Sequence, residues 1–147
     1  MAKSEGGFTD AERAAMKQRA EELRSTKGLK GAAKLAREVE ACLEVIDGLT
    51  GSDAQIAARL HAIVMEEAPH LTPKTMYGFP AYAKDGDVIV FFQQAGKYDS
   101  RYGTIAFQEG AQLDDGEMWV TSYAILEMTE AAEQTIRAMV RKAAGTP

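Results

Sequence analysis

Two groups of side chains in this sequence could do chemistry, and neither is a catalytic template. The first is a set of rings and cations in the second half of the chain: Lys74, Tyr77, Tyr82, Lys97 and Trp119. Large rings with polar tips either fill a core beneath helices or wall a pocket whose edge is wet. Lys74, Lys84, Lys97 and Arg101 are the positive charges among these rings, so a cleft built from them would suit a small anionic ligand. The second group is acidic: Asp85, Asp87, Asp114, Asp115 and Glu117 fall in the connections of the same region. Hard cations take several oxygen ligands, and turns between adjacent strands can bring carboxylates together. Asp114-Asp115-Gly116-Glu117 lacks the alternating register of a calcium loop. Turn formation with solvated charge is therefore the default for these residues, and a weak metal-binding face is the alternative.

Other chemistries fail on composition or spacing. There is no phosphate loop ending in Gly-Lys-Ser/Thr, no Gly-x-Gly-x-x-Gly after a strand and no Gly-x-Ser-x-Gly elbow. Cys42 sits on the apolar face of a helical pattern and reads as a core residue, because a reactive thiol needs exposure and a positive neighbourhood. His61 and His70 have no sequence-adjacent partner to tune them and read as structural or solvated. The basic residues Arg24, Lys27, Lys30, Lys34 and Arg37 lie beside Glu21, Glu22, Glu38 and Glu40 and have no interleaved rings, so they read as solvated helix ends. One cysteine makes no internal disulfide, and with two histidines it makes no ordinary zinc site.

The whole chain is one domain's worth of sequence. It has 147 residues, 46% of them apolar, 27% charged, and a net charge of −5, the composition of a globular protein rather than a disordered one. An acidic balance argues against general nucleic-acid binding. The longest bulky apolar run is Val88–Phe92, far short of the roughly 20 residues of a membrane span. No charged-then-apolar leader opens the sequence. The expectation is a cytoplasmic protein with no membrane and no nucleic-acid partner, a monomer or weak homodimer.

These side chains must be positioned by three helices, a β-rich middle and a closing helix. Residues 1–8 read as a flexible start, and 9–147 as a single domain whose residues 9–51 form a helical extension. Thr9 with Glu12 fits a capping box opening a helix to about Ser25. Leu35, Val39, Cys42, Leu43 and Ile46 mark a second helix. Ser52 with Gln55 opens a third, with Ile56, Leu60, Ile63 and Val64 inward, and Pro69 stops it. Asp85-Gly86 is a hairpin turn between Ala81–Lys84 and Asp87–Gln94. Strict alternation puts Val88, Val90 and Phe92 on one face and Ile89 and Phe91 on the other, which marks a central strand covered on both sides. Tyr102–Phe107 and Ser122–Leu126 read as further strands. Thr129 caps a final helix whose acidic start and basic end complement the helix dipole. The fold expected is α+β: a twisted antiparallel sheet of about four to six strands, with N-terminal helices and a C-terminal helix packed against it.

The run Thr72-Pro73-Lys74-Thr75-Met76-Tyr77-Gly78-Phe79-Pro80-Ala81-Tyr82 resembles the signature of YdhG-like domains of unknown function. Lys97-Tyr98, Ile105-Ala106-Phe107, Leu113-Asp114-Asp115-Gly116 with Met118-Trp119, and Thr129-Glu130 are similar to later parts of that pattern. The likeness runs from about Ala54 to the C-terminus. It implies an α+β fold loosely allied to frataxin-like proteins, some of whose relatives are described as intracellular iron chaperones for iron–sulfur cluster assembly. It implies no catalytic residues. The first functional reading is a non-enzymatic domain that binds a small ligand or a protein partner through Lys74, Tyr77, Tyr82, Lys97 and Trp119. The alternative is an iron carrier using Asp85, Asp87, Asp114, Asp115 and Glu117, with weakly bound iron and no other cofactor. An enzyme ranks last.

Overall fold

The computed structural model describes residues 8–28 and 30–147. The expected flexible stretch 1–8 thus lies outside the described residues except for Phe8. Helices α1 (Asp10–Thr26), α2 (Gly31–Asp47) and α3 (Gly51–Glu67) precede strands β1 (Thr72–Met76), β2 (Phe79–Lys84) and β3 (Asp87–Gln93). A 3₁₀ turn (Ala95–Tyr98), β4 (Gly103–Phe107), β5 (Ser122–Ile125) and α4 (Glu130–Ala144) complete the chain. The fold is α+β, with every strand antiparallel to its neighbours in an open meander of order β1-β2-β3-β4-β5. Among the described residues no helix is long and apolar enough to cross a membrane.

Helix starts follow local chemistry. Thr9 and Glu12 form the reciprocal capping box, the Thr9 hydroxyl accepting from Glu12 N at 3.0 Å and Glu12 Oε1 accepting from Thr9 N at 2.9 Å. The Thr129 hydroxyl accepts from Ala132 N at 3.2 Å at the start of α4. Helix α3 differs from expectation. It begins at Gly51 after Thr50, with no side-chain cap, so Ser52 lies inside the first turn. The acid of that turn, Asp53, is used elsewhere: its carboxylate accepts from Ala95 N at 2.9 Å and Gly96 N at 3.0 Å. A charge-assisted pair of bonds thus fastens the 3₁₀ turn to α3.

Two further differences lie in the sheet. β1 is a strand that the sequence reading left unassigned, because Pro73 cannot donate to a ladder; as an edge strand it need not. In β3, Tyr82 pairs with Val90 and Ala83 with Val88, leaving Ile89 as the extra residue of a bulge. The bulge breaks strict alternation, and Ile89 and Val90 both reach the core. β3 is central, as its apolar content requires.

The core lies between the sheet and the helices. Tyr82, Val90 and Phe107 form one cross-strand row, and Phe92, Ile105 and Tyr123 the next. They pack with Cys42 of α2, with Ile56, Leu60, Ile63 and Val64 of α3, and with Ile136 and Val140 of α4. Polar bonds lock α3 to α4 around this core. Gln55 and the Met128 backbone exchange two bonds of 2.9 Å. Arg59 makes a forked pair with Glu133 at 3.0 Å on each arm, and Arg137 bridges Glu67 and Glu133, also at 3.0 Å. Arg141 and Arg137 hold the Glu67 carboxyl below the usual carboxylate range, and Arg59 and Arg137 hold that of Glu133. Helix α1 is attached differently: among its described side chains Ala15 alone is buried, and Met16 and Leu23 are exposed.

Gly103 shows how closely the sheet's inner face is packed. A Cβ there would lie 2.7 Å from Phe92 Cε1. Gly103→Ala should therefore lower the unfolding free energy by about 1–3 kcal/mol, the usual range for overpacking a core, as read by urea denaturation at constant m-value.

Candidate functional site

Strand order decides which of the expected site residues can meet. Lys74 lies on β1 and Tyr77 in the β1–β2 turn, whereas Trp119 lies in the segment entering β5. β1 and β5 are opposite edges of the sheet, four inter-strand spacings or about 19 Å apart at 4.8 Å each. The five rings and cations therefore do not wall a single cleft.

Tyr82 is the clearest correction. Its side chain is fully buried, with its hydroxyl 2.9 Å from His61 Nδ1, in the same core cluster as Cys42. Burial pushes the Tyr82 hydroxyl far up and the Cys42 thiol up to about 11. It lowers the half-buried His61. At neutral pH the thiol and phenol keep their protons and the imidazole is neutral. The bond between phenol and imidazole satisfies buried polar atoms, and the protonated thiol offers no nucleophile.

Lys74 and Tyr77 do come together, around Glu22, a residue that no spacing pattern singles out. Glu22 of α1 accepts from the backbone N–H of Tyr77 at 3.1 Å and of Gly78 at 2.8 Å. Lys97 feels that carboxylate, whose charge raises its pKa while burial, the larger effect, lowers it. The Arg19 guanidinium lies 5.9 Å from the Tyr77 ring centroid. Lys74 is paired with Glu38 at 3.3 Å and shares a small polar cleft with Arg19 and Glu22. Glu22 is 55 residues from Tyr77 in the chain, so no spacing pattern links them.

The acidic set divides between two connections. Asp85 lies in the β2–β3 turn and Asp87 opens β3, whereas Asp114, Asp115 and Glu117 belong to the long β4–β5 segment. Among the described residues no three His, Cys, Asp or Glu side chains converge as a metal-holding group.

The β4–β5 segment builds an apolar concavity. Gln112 N donates to Ala143 O at 2.9 Å and Leu113 drops into the core, pinning the segment to the end of α4. Gly116, at φ 72°, turns it back, and Phe107 N donates to Thr121 O at 2.7 Å as it rejoins the sheet. Between these pins the loop carries Met118, Trp119 and Val120, which are 87%, 41% and 53% exposed. With Leu113, Tyr123, Met139 and Lys142 they line a groove of about 480 Å³, and Asp115 stands at its edge. Loop segments are usually built of turn-forming polar residues, so three consecutive exposed apolar side chains are the unusual feature. The sequence reading selected Trp119 alone; the signal it passed over was the Met118-Trp119-Val120 run inside an otherwise polar loop. Met139 and Lys142 read only as the inner face and the dipole partner of the last helix.

Fold and site together define an α+β domain with an open antiparallel meander and an apolar groove between its last edge strand and its C-terminal helix. Comparison with protein-family models, with curated proteins and with solved structures finds no match for this chain.

The burial of His61 sets a pH dependence. A histidine whose folded pKa is lowered leaves the folded state binding fewer protons than the unfolded state below about pH 6.5. Its contribution to stability is complete above that pH and is lost as pH falls from there through the lowered folded value. NMR titration of the His61 ring should give a midpoint below 6.5. The unfolding free energy of His61→Gln should fall less between pH 7 and pH 5 than that of the native chain.

Proposed function

We propose that this chain is a non-enzymatic binding domain, and that the groove at Met118, Trp119 and Val120 takes a small ligand with an apolar body and an anionic end. The observation that carries the reading is the exposure of those three consecutive side chains on the rim of a concavity. Its volume falls within the roughly 300–1,000 Å³ of small-molecule sites, and exposed apolar surface on this scale marks binding surfaces. Trp119 and Tyr123 offer faces for a planar group. Lys142 offers the one positive charge of the lining, and Asp115 the one negative, so an anionic end is drawn toward the α4 side. The likeness of Thr72–Tyr82 to YdhG-like domains is carried as part of this proposal. Iron carriage is not, since the dispersed carboxylates give it less support than the groove gives to an organic ligand.

Trp119 is the single tryptophan, so its emission reports on the groove. Titration with 8-anilinonaphthalene-1-sulfonate, an apolar body with an anionic end, should change that emission saturably. Val120→Asp should weaken the binding at least tenfold. Lys142→Ala should weaken it about two- to fivefold, the scale of an exposed ion pair, while binding of uncharged N-phenyl-1-naphthylamine stays within twofold. A linear, unsaturable response, or full binding by Val120→Asp, would contradict the assignment.

A further inference from the structure

A second site is built at the opposite edge of the sheet and stands independently of the groove. Tyr77 and Gly78 form the two-residue turn between β1 and β2, with φ of 54° and 80°, as a hairpin turn with both central residues left-handed demands. Glycine is the residue suited to such a conformation, and a tyrosine adopts it against its preference. Successive backbone N–H groups in turns of this kind can form a concavity that accepts an anion. Here both N–H groups reach one carboxylate, that of Glu22, at 3.1 and 2.8 Å.

The surroundings match α1 imperfectly. Gln94, 7% exposed, donates from Nε2 to Gly78 O at 3.1 Å, yet its buried Oε1 has no partner. Gln18 of α1 packs so closely on Gly78 that a Cβ there would lie 2.5 Å from Gln18 Oε1, and that oxygen too is buried and unpartnered. Buried acceptors left without donors are unfavourable, so α1 sits on the turn with its polar atoms incompletely matched. Lys97, partly buried nearby, adds positive charge that interacts with Glu22.

The contrast with Asp53 sharpens the point. Asp53 makes the same two-armed bond to Ala95 and Gly96, but from α3, whose Ile56, Leu60, Ile63 and Val64 lie in the core. Glu22 reaches the turn from a helix that buries one alanine. One clamp is fixed by the core behind it; the other is held by a helix with little apolar area to keep it in place.

We propose that the Tyr77–Gly78 turn is a carboxylate-binding site, occupied in this chain by its own Glu22, and that a free small organic acid takes the place of Glu22 when α1 is displaced. The ligand class is set by the two N–H donors, which reach the two oxygens of one carboxylate. Helix α1 then acts as a tethered competitor that sets the threshold for the external acid.

The test uses the full-length chain as wild type, Glu22→Ala and Glu22→Gln, followed by two-dimensional amide NMR. Sodium acetate is titrated at constant ionic strength, with acetamide as the uncharged control. In Glu22→Ala the Tyr77 and Gly78 amides should shift saturably with acetate and not with acetamide, while wild type should need at least tenfold more acetate for the same shift. Glu22→Gln keeps the size of the side chain and should also gain the acetate response, which covers the case in which the alanine variant fails to fold. Absence of an acetate-specific shift in a folded variant, or equal responses in variant and wild type, would overturn the proposal. So would a response to a synthetic peptide of residues 9–26 with none to acetate, because the helix rather than the carboxylate would then be what the turn recognises.

Discussion

A phenol hydroxyl with no access to water must find a partner inside the protein, and in this fold the hydroxyl of Tyr82 finds it in His61 of α3, at 2.9 Å. That bond ties α3 to the middle of the sheet. The Tyr82 ring, paired across strands with Val90 and through it with Phe107, continues the same contact into the apolar core. Cys42 of α2 lies in that core, and its burial keeps it protonated.

With the middle of the sheet committed to packing, the two proposed sites lie at its edges. At the β5 edge the connection from β4 is pinned by Leu113 and by the bond from Gln112 to Ala143, so Met118, Trp119 and Val120 are presented on a short, anchored span. At the β1 edge the turn offers two N–H groups, and a weakly held helix covers them. The two edges differ in character: one is apolar with a single lysine, the other polar and already filled by a carboxylate. That difference follows from what each edge has behind it, α4 in one case and α1 in the other.

Much of the fold was legible in the sequence because it rests on local rules. Thr9, Glu12 and Thr129 announce their helices by capping chemistry, and Asp85-Gly86 announces its turn by conformation. What was not legible depended on tertiary context. Pro73 hides β1 because its permissibility depends on the strand being an edge. Ile89 reaches the core only because of a bulge that no alternation pattern contains. The candidate site was legible in residue type but not in place. Trp119 was chosen for its ring and Tyr82 for the same reason, yet one ring lies in a groove and the other in the core, because burial is decided by strand order and not by the residue. Glu22 and Lys142 carried no signal of their own, since their roles come from partners distant in the chain.

The central claim is that the groove beside Trp119 is where this protein binds. Backbone amide NMR with 8-anilinonaphthalene-1-sulfonate tests it most directly. The account predicts saturable shifts confined to residues 113–123 and 139–142, with the Trp119 indole N–H among the largest. Shifts centred on β1 and α2, or scattered over the surface without saturation, would contradict it.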